Sequence, residues 1–301
     1  MPATGGLGSA TEMKSLLELP RMGLRLLGIV VFTQAGIVVT GALVRLTGSG
    51  LGCPTWPRCT AESYFPQASQ VEGLHKWIEF GNRLLTFIVV IAAVVSLIYI
   101  LRHHLKVNKL PKKFLFLAAI PFLGTIAQAI LGGILVLVAL NPYAVAAHFL
   151  LSVFLVAIAA RTRVLAEHPL PNDTNVKHLI LSRLLLMSGL VIIVLGVITT
   201  GTGPHAGDEV AERFNLDISI IARVHADGVW LFTGLLIANL IFNRNQKATR
   251  VLLIVVVQII VGYTQWFTNL PWALVGIHVA LAITMWVFLV KYQTMVRQGV
   301  I

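Results

Sequence analysis

Hydrophobic positions in this chain come in long unbroken blocks and do not alternate with polar ones. Eight apolar runs fall at about 22–44, 77–101, 114–138, 143–160, 184–200, 221–242, 251–267 and 273–290. Each approaches the ~20 residues that an α-helix needs to cross the hydrocarbon of a bilayer. Only helices or closed barrels satisfy their backbones there, and unalternating runs are not barrel strands. The pattern predicts an all-α polytopic membrane protein with eight transmembrane helices. Runs three and four, like runs seven and eight, are joined by a few residues containing Pro142 or Pro271, so each pair is expected to form an antiparallel hairpin. The stretch before the first run holds Glu12 and Glu18 and no apolar core, and the run itself is too long for a signal-peptide core; no leader is expected.

Two of the polar intervals are long, about 45–76 and 201–220. The first contains Thr47-Gly48-Ser49-Gly50-Leu51-Gly52-Cys53-Pro54-Thr55-Trp56-Pro57-Arg58-Cys59, and the second Thr200-Gly201-Thr202-Gly203-Pro204-His205-Ala206-Gly207-Asp208. Glycine and proline at this density specify turns and close backbone approach. The two intervals also echo each other. Thr47-Gly48-Ser49-Gly50 and Thr200-Gly201-Thr202-Gly203 lie 153 residues apart, while Gln128 and Gln258, Gly132 and Gly262, and His148 and His278 are each 130 apart. The offset shrinks only across connections, as a duplicated four-helix unit with loop insertions requires. We expect two four-helix bundles, residues 1–165 and 180–301, with equivalent sites at equivalent depth.

Ionisable residues inside the runs point to the chemistry. An ionisable side chain at membrane depth costs at least ~2.5 kcal/mol unless it is partnered. His225, His278 and His148 each sit just inside one end of a run, and Arg223 and Asp227 flank the first of them. Three equivalent placements suggest a metal or haem site between helices; the bland alternative is that each histidine caps a helix or bonds a carbonyl. His225 and His278 come from two helices of one half, a spacing suited to bis-imidazole ligation of a haem in a bundle. Haem is favoured over zinc because no cysteine or carboxylate completes a tetrahedral set. Asp227 is expected to point elsewhere. Arg223 and Arg83 stand near helix ends, where they either meet haem propionates or snorkel to the interface. In the first half, the position equivalent to His225 falls near Asn82, which offers no imidazole; at helical spacing His75, Glu79 and Asn82 share one face.

Composition sharpens this picture without changing it. The chain is 57% hydrophobic and 12% charged, against about 25% charged residues in soluble domains. The net charge of +11 would suit nucleic acid, but its distribution argues for a bilayer: the basic residues fall in short intervals between runs and form no stripe. Lys14, Arg21 and Arg25, then Arg102, Lys106, Lys109, Lys112 and Lys113, then Arg161, Arg163, Lys177 and Arg183, then Arg244, Lys247 and Arg250, and finally Lys291 and Arg297 all fall on one side of an eight-span chain. By the positive-inside rule both termini are cytoplasmic. His103 and His104 share that side and read as solvated. Cys53 and Cys59 face outward, where disulfides persist; their spacing makes an intraloop bridge feasible, with two free thiols as the alternative.

Taken together, the Cys53-Pro54-Thr55-Trp56-Pro57-Arg58-Cys59 loop, Glu79 in Glu-Phe-Gly-Asn-Arg, the Thr202-Gly203-Pro204-His205-Ala206-Gly207-Asp208 loop and the histidines of runs four, six and eight resemble the haem A synthase family over nearly the whole chain. The resemblance implies a bacterial membrane enzyme that oxidises the C8 methyl of haem O to the formyl of haem A for terminal oxidases. It implies a b-type haem (heme b) on His225 and His278, a substrate haem in the first half near His148 and Asn82, and a catalytic role for Glu79. The family usually carries a histidine three residues after that glutamate; this chain has Asn82, leaving His148 as the imidazole of the first half. Expected partners are haem O, the enzyme that supplies it, an external electron donor, the lipid bilayer and, in a homo-oligomer, further copies of the chain. A bis-histidine b-type cytochrome that only passes electrons from quinol to a partner stands beside this reading, as does a transporter built on the duplicated fold.

Overall fold

The computed structural model describes residues 19–107, 110–169 and 172–301; Glu12, Lys14, Glu18 and Lys109 lie outside them. Among the described residues there are eight α-helices, each long and apolar enough to cross a membrane: α1 Arg21–Leu46, α2 His75–Val107, α3 Lys112–Leu137, α4 Pro142–Glu167, α5 Val176–Thr202, α6 Ile218–Phe242, α7 Gln246–Phe267 and α8 Trp272–Arg297. The helix starts are written locally. Asn141, Asn175, Asp217 and Asn245 accept backbone N–H groups of the first turns of α4, α5, α6 and α7, satisfying donors that have no intrahelical partner.

The helices outrun the apolar runs on the basic side. α5 begins at Val176 and not near 184, α4 runs to Glu167 and α8 to Arg297. Hydropathy marks depth in the bilayer, whereas a helix continues wherever its backbone bonds and caps allow. His103 and His104 differ from the expectation of solvated side chains: both are half-buried, and one ring nitrogen of each is enclosed without a partner.

The same packing recurs in the two halves. α1 packs on α2 and α4, and α3 on α2 and α4; likewise α5 packs on α6 and α8, and α7 on α6 and α8. Recurrence reaches the turns. Ala139-Leu140 and Asn269-Leu270, 130 residues apart, are both left-handed pairs of non-glycine residues closing the α3–α4 and α7–α8 hairpins. In each, the second residue's N–H bonds a carbonyl five residues back, Leu135 and Gln265 respectively. Such conformations cost of order 1–2 kcal/mol per residue and persist where the surroundings over-determine them.

Between the halves, α8 packs on α1 and α4. The main core lies along this seam, with Val153, Val156, Phe232, Leu236, Val251, Ile283 and Leu289 almost fully buried. Trp286 of α8 donates its indole N–H to the Val153 carbonyl of α4 at 3.0 Å. The two long loops meet as well: the Gly50 N–H bonds the Gly207 carbonyl at 2.8 Å. A side chain at residue 50 would strike the Leu140 side chain, its Cβ 2.7 Å from Leu140 Cδ1, so the close approach of the loops requires glycine there.

Candidate functional site

Beneath those loops a cavity of about 1210 Å³ runs between the helices and reaches both halves, above the ~300–1,000 Å³ typical of small-molecule pockets. His148 of α4, His225 of α6 and His278 of α8 all line it. The His225 and His278 rings stand across from each other with centroids 6.4 Å apart and ring planes at 70°. Two metal–imidazole bonds of ~2.0–2.1 Å, plus roughly 1.1 Å from nitrogen to ring centre on each side, span about 6.3 Å. The Nδ1 atoms of all three histidines are enclosed without a hydrogen-bond partner, which leaves Nε2 as the nitrogen open to the cavity. Among the described residues no group of three His, Cys, Asp or Glu side chains gathers to hold a bare metal ion. Two imidazoles suffice for a porphyrin iron, whose other four ligands the macrocycle brings.

The repeat shapes the walls behind the histidines. Gln128 donates to the His148 carbonyl and Gln258 to the His278 carbonyl, both at 2.9 Å. Gly132 and Gly262 sit against the same two rings: a Cβ there would lie 3.4 and 3.2 Å from His148 Cε1 and His278 Cε1. These pairs fix where the imidazoles stand and keep them from being crowded.

Among the described residues that line the first half of the cavity, His148 is the only imidazole. Asn82 lines the cavity and accepts a hydrogen bond from Thr40 Oγ1 at 2.8 Å. His75 does not line it; its Nδ1 lies 2.8 Å from Ser49 Oγ, tying the start of α2 to the first glycine loop.

Glu79 lines the cavity at 6% exposure and is held on both oxygens. Oε2 accepts the Cys53 N–H at 2.6 Å, and Oε1 accepts Arg83 Nη2 at 2.6 Å and Nε at 3.1 Å. Arg83 in turn donates to the carbonyls of Cys53, Thr55 and Arg58 at 2.9–3.1 Å. The cysteine loop is thus clamped onto the carboxylate. Cys53 and Cys59 are joined in a disulfide and fully buried. Trp56 of the same loop lies against Gly133 of α3, where a Cβ would come within 2.3 Å of the indole.

Of the two arginines expected near propionates, Arg223 lines the cavity and has no ion-pair partner among the described residues, while the donors of Arg83 are engaged by Glu79 and the loop carbonyls. Asp227, expected to point elsewhere, also lines the cavity. Arg45 was not legible as a site residue: it falls one position past the first apolar run, yet α1 continues through it and places it in the cavity wall. The signal available was a lone cation two residues before the first glycine motif.

Comparison with known proteins places the chain among its relatives. The model of the COX15-CtaA family, described as cytochrome oxidase assembly protein, matches residues 24–210. The heme A synthase of Geobacillus kaustophilus is 31% identical over 150 residues, covering 48% of this chain and 44% of its own length. That of Geobacillus thermodenitrificans is 29% identical with the same coverage, and that of Lysinibacillus sphaericus is 36% identical over 115 residues, 38% of this chain and 35% of its own. The chain therefore spans less than half the length of these relatives.

Proposed function

The chain belongs to the COX15-CtaA family of cytochrome oxidase assembly proteins, and from that premise we propose that it is a haem A synthase, oxidising the C8 methyl of haem O to the formyl of haem A. The observation that carries the reading is the opposed pair His225 and His278 in a cavity that also holds His148 and Glu79. In this proposal residues 180–301 hold a resident b-type haem on His225 and His278, and residues 1–165 receive haem O at His148. The porphyrin iron supplies the redox chemistry of oxygen insertion when bound. The chain's own residues do the rest. His148 orients the substrate, and the absence of an imidazole at Asn82 leaves the opposite face open. Glu79, fixed by the Cys53 N–H and by Arg83, presents a carboxylate at a defined place in the cavity wall, positioned to accept or return a proton at the reacting edge. Trp56 and the disulfide-closed loop cover that place from the outward side.

The same reading assigns the chain to a bacterial cell membrane, multi-pass, with both termini cytoplasmic by the positive-inside rule. It calls for haem O, delivered by the enzyme that makes it, for an electron donor outside the chain, and for the lipid bilayer; self-association into a homo-oligomer is compatible with it. The test is to express the protein in a host that makes haem O, extract the haems and separate them. Haem A in the extract supports the proposal. Haem O returned unchanged, with a bis-histidine spectrum intact, would replace it with the electron-transfer cytochrome.

A further inference from the structure

Among the described residues the ion pairs are Arg83–Glu79 and Arg163–Glu167. Arg45 is therefore a cation in the cavity wall with no acidic partner. Its Nε donates to the His205 carbonyl at 2.9 Å and its Nη2 to the Thr200 carbonyl at 3.1 Å. A guanidinium does not shed its proton in a protein. Two carbonyl dipoles hold it in place, but they do not neutralise a full charge on the wall of a largely apolar cavity. The duplication does not account for it either: 153 residues on, the equivalent position is Ile198. Arg45 is an addition to the repeated scaffold and calls for an anion inside the cavity.

Its position says which anion. Arg45 Nη2 bonds the Thr200 carbonyl near the end of α5, and one helical turn back on the same face of α5 Gly196 lies against His225, where a Cβ would stand 3.3 Å from His225 Cε1. A first-half arginine is thus anchored about one helical turn along α5 from the contact with the second-half histidine His225. Arg223, two residues before His225, lines the same cavity. We propose that Arg45 binds a propionate carboxylate of the porphyrin ligated by His225 and His278, with Arg223 available to the other. This rests on the haem reading above and adds to it a residue from the opposite half. The porphyrin then links the halves: the iron is held by α6 and α8, and one carboxylate by α1. Arg45 keeps its bonds to the second long loop and offers its remaining donors to the ligand.

The full-length protein, purified haem-free in detergent, is titrated with ferric protohaem and, separately, with its dimethyl ester, and the Soret band is followed. Esterification removes both carboxylate charges and leaves the iron and ring unchanged. Wild type is expected to bind the free acid at least about tenfold more tightly than the ester, as the loss of a charge-assisted bond predicts. Arg45→Gln, which retains donors for the His205 and Thr200 carbonyls, is expected to weaken the free acid about tenfold, leave the ester unchanged and lower the midpoint potential of the bound haem, because a cation favours the reduced state. Equal affinity of wild type for acid and ester overturns the proposal, and so does an Arg45→Gln variant that keeps the wild-type ratio. Should Arg45→Gln fail to fold, Arg45→Lys replaces it: the shorter, single-pronged cation is expected to lose part of the discrimination, and a wild-type ratio again overturns the proposal. If neither porphyrin gives a band that depends on His225 and His278, the haem reading itself falls and this inference with it.

Discussion

Removing the Glu79 carboxylate should cost the protein stability as well as chemistry. Glu79 accepts three hydrogen bonds, two from the Arg83 guanidinium and one from the Cys53 N–H, and the two side chains are 8% and 22% exposed. In Glu79→Ala the guanidinium stays enclosed by the loop carbonyls without its counter-charge, a situation worth about 3–5 kcal/mol when one partner of a buried pair is lost. The orphaned Cys53 N–H belongs to that same loss, so the two are not added. Glu79→Gln keeps an acceptor for the amide and should lose roughly 1–2 kcal/mol. Arg83→Ala frees the carboxylate and should also destabilise. Because both variants break one interaction, the double variant should fall short of their sum by about 1–3 kcal/mol. Thermal unfolding of the detergent-purified proteins, with reduced and oxidised loops compared, measures all four corners of the cycle. A Glu79→Ala protein within ~0.5 kcal/mol of wild type, the range of an ordinary surface substitution, would refute the clamp.

Further outcomes are expected elsewhere in the site. His225→Ala and His278→Ala should each abolish the low-spin bis-histidine spectrum; a full signal in both variants would rule out the ligand assignment. His148→Ala should abolish haem A formation in the haem O-producing host while leaving that spectrum in place, and haem A at the wild-type rate would remove His148 from the substrate site. Asn82→His should still bind substrate haem, now with an imidazole on each face, and a difference spectrum with twice the bis-histidine intensity is the signature to look for. Gly133→Ala should displace the Trp56 indole, whose nearest ring atom would lie 2.3 Å from the new Cβ; overpacking of this kind costs about 1–3 kcal/mol, and an unchanged tryptophan emission spectrum would argue against the contact.

Much of the fold could be read from the chain because the bilayer leaves few options. A run such as 114–138 has no soluble alternative, and an offset of 130 that relates Gln128, Gly132 and His148 to Gln258, Gly262 and His278 is visible before any coordinate. In the structure those same residues meet, glutamine on carbonyl and glycine on ring. The histidines stood out because ionisable groups in apolar runs need a reason. What stayed hidden were contacts between segments distant in sequence. Nothing local places the Cys53 amide on Glu79, 26 residues away, or turns Arg83 from a free cation into the far side of that clamp. Arg45 was hidden for a different cause. Hydropathy ended the first run one residue too early to mark it as a cation of the cavity wall, and its partners, His205 and Thr200, lie 160 and 155 residues ahead.

The bond between Gly50 and Gly207 has a consequence for how the protein is made. A ribosome adding ~5–20 residues per second needs roughly 8–30 s to travel the 157 residues that separate the two glycines. During that interval α2, α3 and α4 are themselves synthesised, and from the completion of α4 at Glu167 until Gly207 is made the first loop has no partner to lean on. The Arg45 guanidinium likewise waits for carbonyls that have yet to emerge. The newborn first half is a vessel whose cover is still being synthesised, and its mouth stays open until the second long loop arrives and fastens it.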